Sequence, residues 1–258
     1  MQPKEIRIHV VQADPAPRDV ASNATYVEDI VKSCQADLVV LPELFLSGYQ
    51  VEDLDALALQ KADALIQRFM AVCRAANVGL VVGFIERADG KLFNSLLVID
   101  QDGTQRGPIQ KTHLFGKEHA VFEEGEVLKP VELCGYQWGI MNCFELEFPE
   151  IARTLALQGA EGFLVSSANM HPYTEDHVLA VRARSKENRL PVAYANRVGS
   201  EAGSEFCGQS LVVDHNGNII YAMGETTEAA FTATLKIGAQ APQAVRMLDQ
   251  RRPELYLS

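Results

Sequence analysis

Three residues have the types and the local settings for chemistry at a carbonyl: Glu43, Lys111 and Cys143. Glu43 stands in Leu41-Pro-Glu-Leu-Phe45, directly after the apolar run Leu38 to Leu41. That run reads as a buried strand ending at Pro42, and the carboxyl end of such a strand is where α/β sheets open their crevices. A helix cap or loop acid has the same local context. Lys111 follows a predicted strand, Gln105 to Gln110, and opens Lys111-Thr-His-Leu-Phe-Gly116. A lysine there can polarise a carbonyl or hold an oxyanion, although most lysines simply extend to water. Cys143 lies in Gly139-Ile-Met-Asn-Cys-Phe-Glu-Leu-Glu-Phe-Pro-Glu150, between a short strand and a helix that begins near Pro149. This strand–turn–helix setting is shared with nucleophile elbows, which project a side chain from the sheet and aim backbone N–H groups at the reacting carbonyl. The ordinary cysteine is a small buried hydrophobe. Cys34 and Cys73, on apolar helix faces, fit that role, whereas charged residues crowd the turn after Cys143.

The elements that must position these residues are legible as alternating βα units and hairpins. Ile6, Ile8 and Val10 alternate with polar residues, as in a half-buried strand. Val20, Ala24, Val27, Val31 and Cys34 recur at helical spacing, as do Leu65, Phe69, Val72 and Ala76. Gly79 to Ile85 and Asn94 to Asp100 read as strands, with turn signals at Asp89-Gly90 and Asp102-Gly103. The second half repeats the theme. Strands are expected over Gly139 to Asn142, Gly162 to Ser166 and Val192 to Asn196, and helices over Pro149 to Gly159 and Asp176 to Asn188. Ser210 to Val213 and Ile219 to Met223 flank the hairpin turn Asn216-Gly217. The mixture predicts mixed sheets with helices on their outer faces, and no Pro/Gly/Ser-rich linker divides the chain.

Composition narrows the function classes. The chain has 258 residues, 47% hydrophobic and 22% charged, which fits one folded domain over 1–258 and excludes a disordered chain. Lys and Arg total 23 against 34 Asp and Glu, a net charge of −11 with no basic run. Nucleic acid and anionic membranes need positive charge on their partner, so neither is expected. No apolar stretch approaches a membrane span, and the start of the chain lacks the apolar core of a secretory signal. Five scattered cysteines without a CxxC pair argue against a disulfide framework and against a zinc ribbon, and a cytoplasmic location is expected. His113 and His119, and His171 and His177, are six apart, which is not the spacing of a helical zinc pair. There is no Gly-rich phosphate loop. No metal and no cofactor are expected.

The order Glu43, Lys111, Cys143, each at a strand end, resembles the Glu–Lys–Cys triad of the nitrilase superfamily of carbon–nitrogen hydrolases. The resemblance spans nearly the whole chain. It is carried further by Phe148-Pro-Glu-Ile-Ala-Arg153, Ser167-Ala-Asn-Met170, Arg182-Ala-Arg-Ser-Lys-Glu-Asn188 and Tyr194-Ala-Asn196. Within the superfamily, Lys111 to Gly116, Glu147-Phe-Pro-Glu150, Asn169-Met170 with Pro172-Tyr173, and Cys207-Gly-Gln-Ser210 look like aliphatic amidases of the 5-aminovaleramidase and R-amidase type. The resemblance implies an αββα sandwich, a homodimer or higher homo-oligomer, and a small amide substrate. It makes Cys143 the nucleophile and Glu43 the general base, with Lys111 and the Phe144 N–H on the oxyanion. It adds a second glutamate near the lysine loop, for which Glu118 fits best and Glu123 and Glu124 compete. Tyr49, Phe144, Glu147, Asn169 and Met170 are expected around the substrate. A nitrilase or N-carbamoyl hydrolase would use the same triad, and a non-catalytic interaction protein could share the fold. The chain departs from the common Cys-Tyr-Asp-x-Arg-Phe-Pro-Glu pattern: Phe144 stands for Tyr, Glu145 for Asp and Glu147 for Arg. Glu147, with Glu145 and Glu118, would make an acidic mouth suited to an amide bearing a distant ammonium. The competing expectation is an ion pair of Glu147 with Arg153.

Overall fold

The computed structural model describes residues 4–49, 52–238 and 247–256. β1 (Lys4–Gln12) turns Ile6, Ile8 and Val10 inward, as its alternation demands. α1 (Val20–Ser33) starts where the Asp19 carboxylate accepts the Ser22 N–H at 3.0 Å, and it buries Ala24, Val27 and Val31. β2 (Leu38–Val40), α2 (Ala64–Ala76), β3 (Gly79–Ala88), β4 (Lys91–Ile99) and β5 (Ile109–Gln110) complete the first half. Asp89 and Gly90, with φ of 50° and 77°, make the tight turn between β3 and β4. In the second half come β6 (Val131–Leu133), β7 (Tyr136–Asn142), α3 (Pro149–Leu157), β8 (Gly162–Ser167), α4 (Thr174–Asn188) and β9 (Val192–Asn196). They are followed by the hairpin β10 (Val198–Glu201) and β11 (Ser204–Cys207), then β12 (Leu211–Val213), β13 (Ile219–Ala222) and β14 (Ala229–Ile237).

Two six-stranded sheets result, in the orders β14-β1-β2-β3-β4-β5 and β13-β12-β9-β8-β7-β6. Their inner faces meet through Ile8, Val10, Leu38, Val81 and Val98 on one side and Trp138, Ile140, Leu164, Ala193 and Val212 on the other. On the outer face of the first sheet, Val27, Val31, Ile66 and Phe69 of α1 and α2 cover Val39, Leu80 and Val82. On the outer face of the second, Ile151, Leu155 and Val181 of α3 and α4 cover Phe163, Val165 and Val192. The layers are therefore helix, sheet, sheet, helix. Each sheet buries both faces, which is why its central strands read as continuous apolar runs.

Several boundaries differ from the sequence expectation. The strand expected over Gln105 to Gln110 shrinks to Ile109–Gln110, with one isolated bridge from Gln105 to Ile99. Pro108, lacking an N–H, interrupts the pairing between them. α4 begins two residues early, at Thr174, and α3 stops at Leu157, before Gly159 with its φ of 100°. β6, β10, β11 and β14 are additions. β14 runs antiparallel to β1 for nine residue pairs, from Lys4 with Ile237 to Gln12 with Ala229.

One glycine sets where Glu43 can lie. The chain after β2 crosses so close to β3 that a Cβ on Gly83 would lie 2.1 Å from the Leu44 nitrogen and 2.6 Å from the Glu43 carbonyl carbon. Gly83 N–H donates to Pro42 O at 3.2 Å, and Leu46 N–H donates to Gly83 O at 3.0 Å. The segment bearing Glu43 is thus laid against β3 by main-chain bonds that only glycine permits.

Candidate active site

Glu43, Lys111 and Glu118 meet at the carboxyl ends of the strands, with essentially no exposed side-chain surface. Lys111 Nζ donates to Glu43 Oε1 at 2.6 Å and lies 3.0 and 2.9 Å from the two oxygens of Glu118. Asn94 of β4 donates its Nδ2 to the same Glu43 oxygen at 2.8 Å, and the Ala168 N–H donates to the other at 3.1 Å. Glu118 in turn accepts from Tyr49 Oη at 2.7 Å and from the Phe115 N–H at 3.1 Å. The competing acids lie elsewhere: Glu123 pairs with Lys91 at 3.2 Å and Glu124 with His119 at 3.8 Å, both at the surface. Burial pushes the Glu43 carboxyl above its ordinary value, and the Lys111 ammonium only partly opposes this. Burial alone would lower Lys111, yet the negative charges of Glu43 and Glu118 outweigh it and raise the lysine.

Cys143 opens a helical turn, Cys143–Glu147, and holds a left-handed φ of 43°. A non-glycine residue in that region is strained and persists only where its surroundings dictate it. Here they do so from two sides. Glu145, buried beneath the turn, accepts the Asn142 N–H at 2.7 Å, and both the N–H and the hydroxyl of Thr112 at 2.7 Å. The cysteine turn is thereby fixed to the residue after Lys111. From α4, Arg184 donates to Leu146 O at 3.0 Å and to Glu147 O at 2.8 Å. Asn142 Nδ2 donates to Asn94 Oδ1 at 2.9 Å, so one asparagine touches both the glutamate and the cysteine's strand. Burial raises the Cys143 thiol well above the ordinary range, the Glu43 charge adds to this, and Lys111 opposes it without prevailing.

Tyr49, Phe144, Glu147, Asn169 and Met170 all line one pocket that reaches Cys143, together with Phe115, Tyr173 and His177. Phe115 stands edge to face with Phe144 and Tyr173, at 5.2 and 5.9 Å between ring centres, and makes an apolar wall. The acidic mouth expected from three glutamates is corrected to one. Glu145 faces inward to Thr112, and Glu118 faces Lys111 and Tyr49, so Glu147 is the carboxylate among the pocket residues. Nor does Glu147 pair with Arg153, whose Nη2 donates to Glu187 O at 3.0 Å. Its partner is His177 Nε2, at 3.2 Å. The sequence alone assigns no role to Asn94, Ser167, Arg184 or Tyr194. Ser167, Arg184 and Tyr194 stand in motifs that carry the family resemblance, but Asn94 carries no local signal, because its partners are 48 and 51 residues away.

A family model described as carbon–nitrogen hydrolase matches residues 7–242. A protein of Pseudomonas protegens named hydrolase in pqqF 5′ region is 41% identical, over 98% of this chain and 91% of its own length. An (R)-stereoselective amidase of a Pseudomonas species is 33% identical, over 85% of this chain and 81% of its own. Among solved structures, an amidase from Nesterenkonia sp. superposes with a TM-score of 0.85 at 27% identity, covering 99% of this chain and 96% of that one. A variant of that amidase (TM-score 0.84, 27% identity, 97% and 95% coverage) carries the acetamide moiety of fluoroacetamide on its active-site cysteine.

The buried ammonium sets a stability expectation. Lys111→Met leaves Glu43 and Glu118 facing each other without a cation, and should cost about 3–5 kcal/mol at neutral pH. With that cation gone, nothing offsets the burial that raises Glu43, which then takes up a proton more readily in the folded state than in the unfolded one. The deficit should therefore shrink as pH falls towards 5, and urea unfolding at both pH values measures this. A deficit independent of pH would show that the two carboxylates are not what the lysine balances.

Proposed function

Because this chain belongs to the carbon–nitrogen hydrolase family, and so acts on carbon–nitrogen bonds other than peptide bonds, we propose that it is a thiol amidase of small linear carboxamides. The observation that carries the reading is the buried contact of Lys111 with both Glu43 and Glu118 beside a cysteine held in a strained turn. Glu43 accepts the thiol proton as Cys143 sulfur attacks the amide carbon, and the carbonyl becomes an oxyanion. Its raised pKa makes Glu43 a better proton acceptor than a surface carboxylate. Lys111 Nζ and the Phe144 N–H face the oxyanion, the latter as one of the first N–H groups of a helical turn, which have no partner within that turn. Glu43 then returns the proton to the amide nitrogen. The C–N bond breaks, ammonia leaves, and a thioester remains on Cys143. Glu43 next takes a proton from water, whose oxygen attacks the thioester carbon. That proton passes to the departing sulfur and the carboxylic acid is released. Glu118 supports the lysine, and no step calls for a metal or cofactor.

The pocket supports this substrate class. Its wall of Phe115, Phe144 and Tyr173 accepts a short alkyl chain, and Glu147 stands beside it with 36% of its side chain exposed. An ω-amino amide would place its methylenes on the rings and its ammonium near Glu147. A carboxylate–ammonium hydrogen bond there is worth about 1.5–3 kcal/mol, or one to two decades in specificity.

Three outcomes test these assignments. Cys143→Ala should remain folded and lose ammonia release from an amide panel by several orders of magnitude, since a nucleophile deletion removes the covalent route. Turnover near wild type in that variant would sink the mechanism. Nitriles and carbamoyl compounds in the same panel show whether the triad is used on another carbon–nitrogen bond. The acidic limb of kcat/KM should lie above the ordinary carboxylate value of 4.5, because Glu43 must be ionised to accept the thiol proton and burial raises it. A limb at or below that value would remove Glu43 as the base. Finally, wild type should prefer an ω-amino amide to its uncharged alkyl isostere, and Glu147→Gln should shrink that preference by about ten- to a hundredfold. Equal losses on both substrates would make Glu147 structural.

A further inference from the structure

A line of hydrogen bonds leaves the sulfur of Cys143. Ser167 Oγ lies 3.2 Å from Cys143 Sγ, and Tyr194 Oη lies 3.2 Å from Ser167 Oγ. His177 Nδ1 is 3.0 Å from Tyr194 Oη, and His177 Nε2 is 3.2 Å from Glu147 Oε1. Ser167, Tyr194 and His177 are all buried, and the line reaches the pocket at His177 and Glu147. The members come from β8, β9, α4 and the cysteine turn, so no local sequence preference accounts for their alignment. The steps of amide cleavage use none of the three buried members.

We propose that Ser167, Tyr194 and His177 are positioning residues forming a relay, anchored by Glu147, that turns a hydroxyl hydrogen towards Cys143 as its thiol proton leaves. The directions follow from donor counting. Once sulfur is an anion it can only accept, so Ser167 must donate to it. The Ser167 oxygen then accepts from Tyr194 Oη and from the Asn169 N–H, 3.2 Å away, which occupies both of its lone pairs. With its hydrogen committed to Ser167, Tyr194 accepts from His177 Nδ1. His177 Nε2 faces Glu147 Oε1, which ends the line at the pocket. A neutral thiol sulfur is a weak acceptor, so the Ser167 hydrogen bond gains strength only as the sulfur becomes anionic. The relay is therefore strongest when the sulfur is anionic, which assists the attack step and leaves ground-state binding little changed.

The inference rests on Cys143 as nucleophile, and alkylation by iodoacetamide tests the relay without any substrate. The sulfur lone pair forms the S–C bond as C–I breaks and iodide leaves, and mass spectrometry of the Cys143 peptide gives the rate. Tyr194→Phe keeps the ring and removes the link. A hydrogen bond to a charged group should change the thiolate fraction about tenfold. Higher intrinsic nucleophilicity offsets about half of this on a logarithmic scale, so alkylation should slow about threefold. On the amide, kcat should fall about tenfold with KM within about twofold. Ser167→Ala should behave alike, and the double variant should be little worse than either single one, because both cut the same line. Glu147→Gln should also slow alkylation, which a residue serving only the substrate would not. Wild-type alkylation in Tyr194→Phe, fully additive losses, or a raised KM with unchanged kcat would overturn the relay. Turnover surviving in Cys143→Ala would instead overturn the parent reading.

Discussion

An ammonium held between two carboxylates, out of reach of water, is the contact around which this molecule is arranged. None of the three groups could be buried alone: each ion would cost several kcal/mol to dehydrate, and only mutual attraction with saturated hydrogen bonding offsets that. Glu43 is accordingly met by Lys111, Asn94 and the Ala168 N–H, and Glu118 by Lys111, Tyr49 and the Phe115 N–H. These donors come from both sheets and from the loops between them. Ser166 Oγ donates to Leu41 O at 2.7 Å, tying β8 to the end of β2 just before Glu43. The sandwich closes at this end through polar bonds, while the inner faces of its sheets meet through apolar side chains.

The cysteine turn answers to the same centre. Its strained φ is imposed by Glu145 beneath and by Arg184 from α4. Through Thr112, Glu145 couples the turn to the lysine loop, so the sulfur and the ammonium are positioned by one shared set of bonds. Glu145 thus serves the fold of the site. Its burial pushes its pKa up, although three hydrogen bonds from Thr112 and Asn142 oppose the shift.

Legibility in the sequence tracks the range of the interactions concerned. Strand β1 and the helices α1 and α2 announce themselves by periodicity, because burial acts on each residue separately. Glu43, Lys111 and Cys143 are visible because each sits at the end of a recognisable strand, and the family likeness supplies their association. Asn94 cannot be singled out, since its position in β4 differs from that of its neighbours only in partners brought by folding. Glu145 and Glu147 are two residues apart with similar surroundings in sequence, yet one faces inward and the other lines the pocket. The direction of a helical turn separates them, and composition does not encode it. β14 is a different case. Phe231, Ala233, Leu235 and Ile237 alternate with polar residues, a strand signal as clear as that of β1, with which it pairs.

The close passage at Gly83 bears on how this protein can vary. A carboxylate held by side-chain packing can be nudged by substitutions around it, and its position drifts as neighbours change. Glu43 is instead laid on β3 by the main chain, at a spot that leaves no room for a methyl group. Side chains of the pocket wall such as Phe144 and Tyr173 can be exchanged while that backbone crossing stays as it is. The fold thus separates a part of the site that is open to diversification from one that is inherited whole.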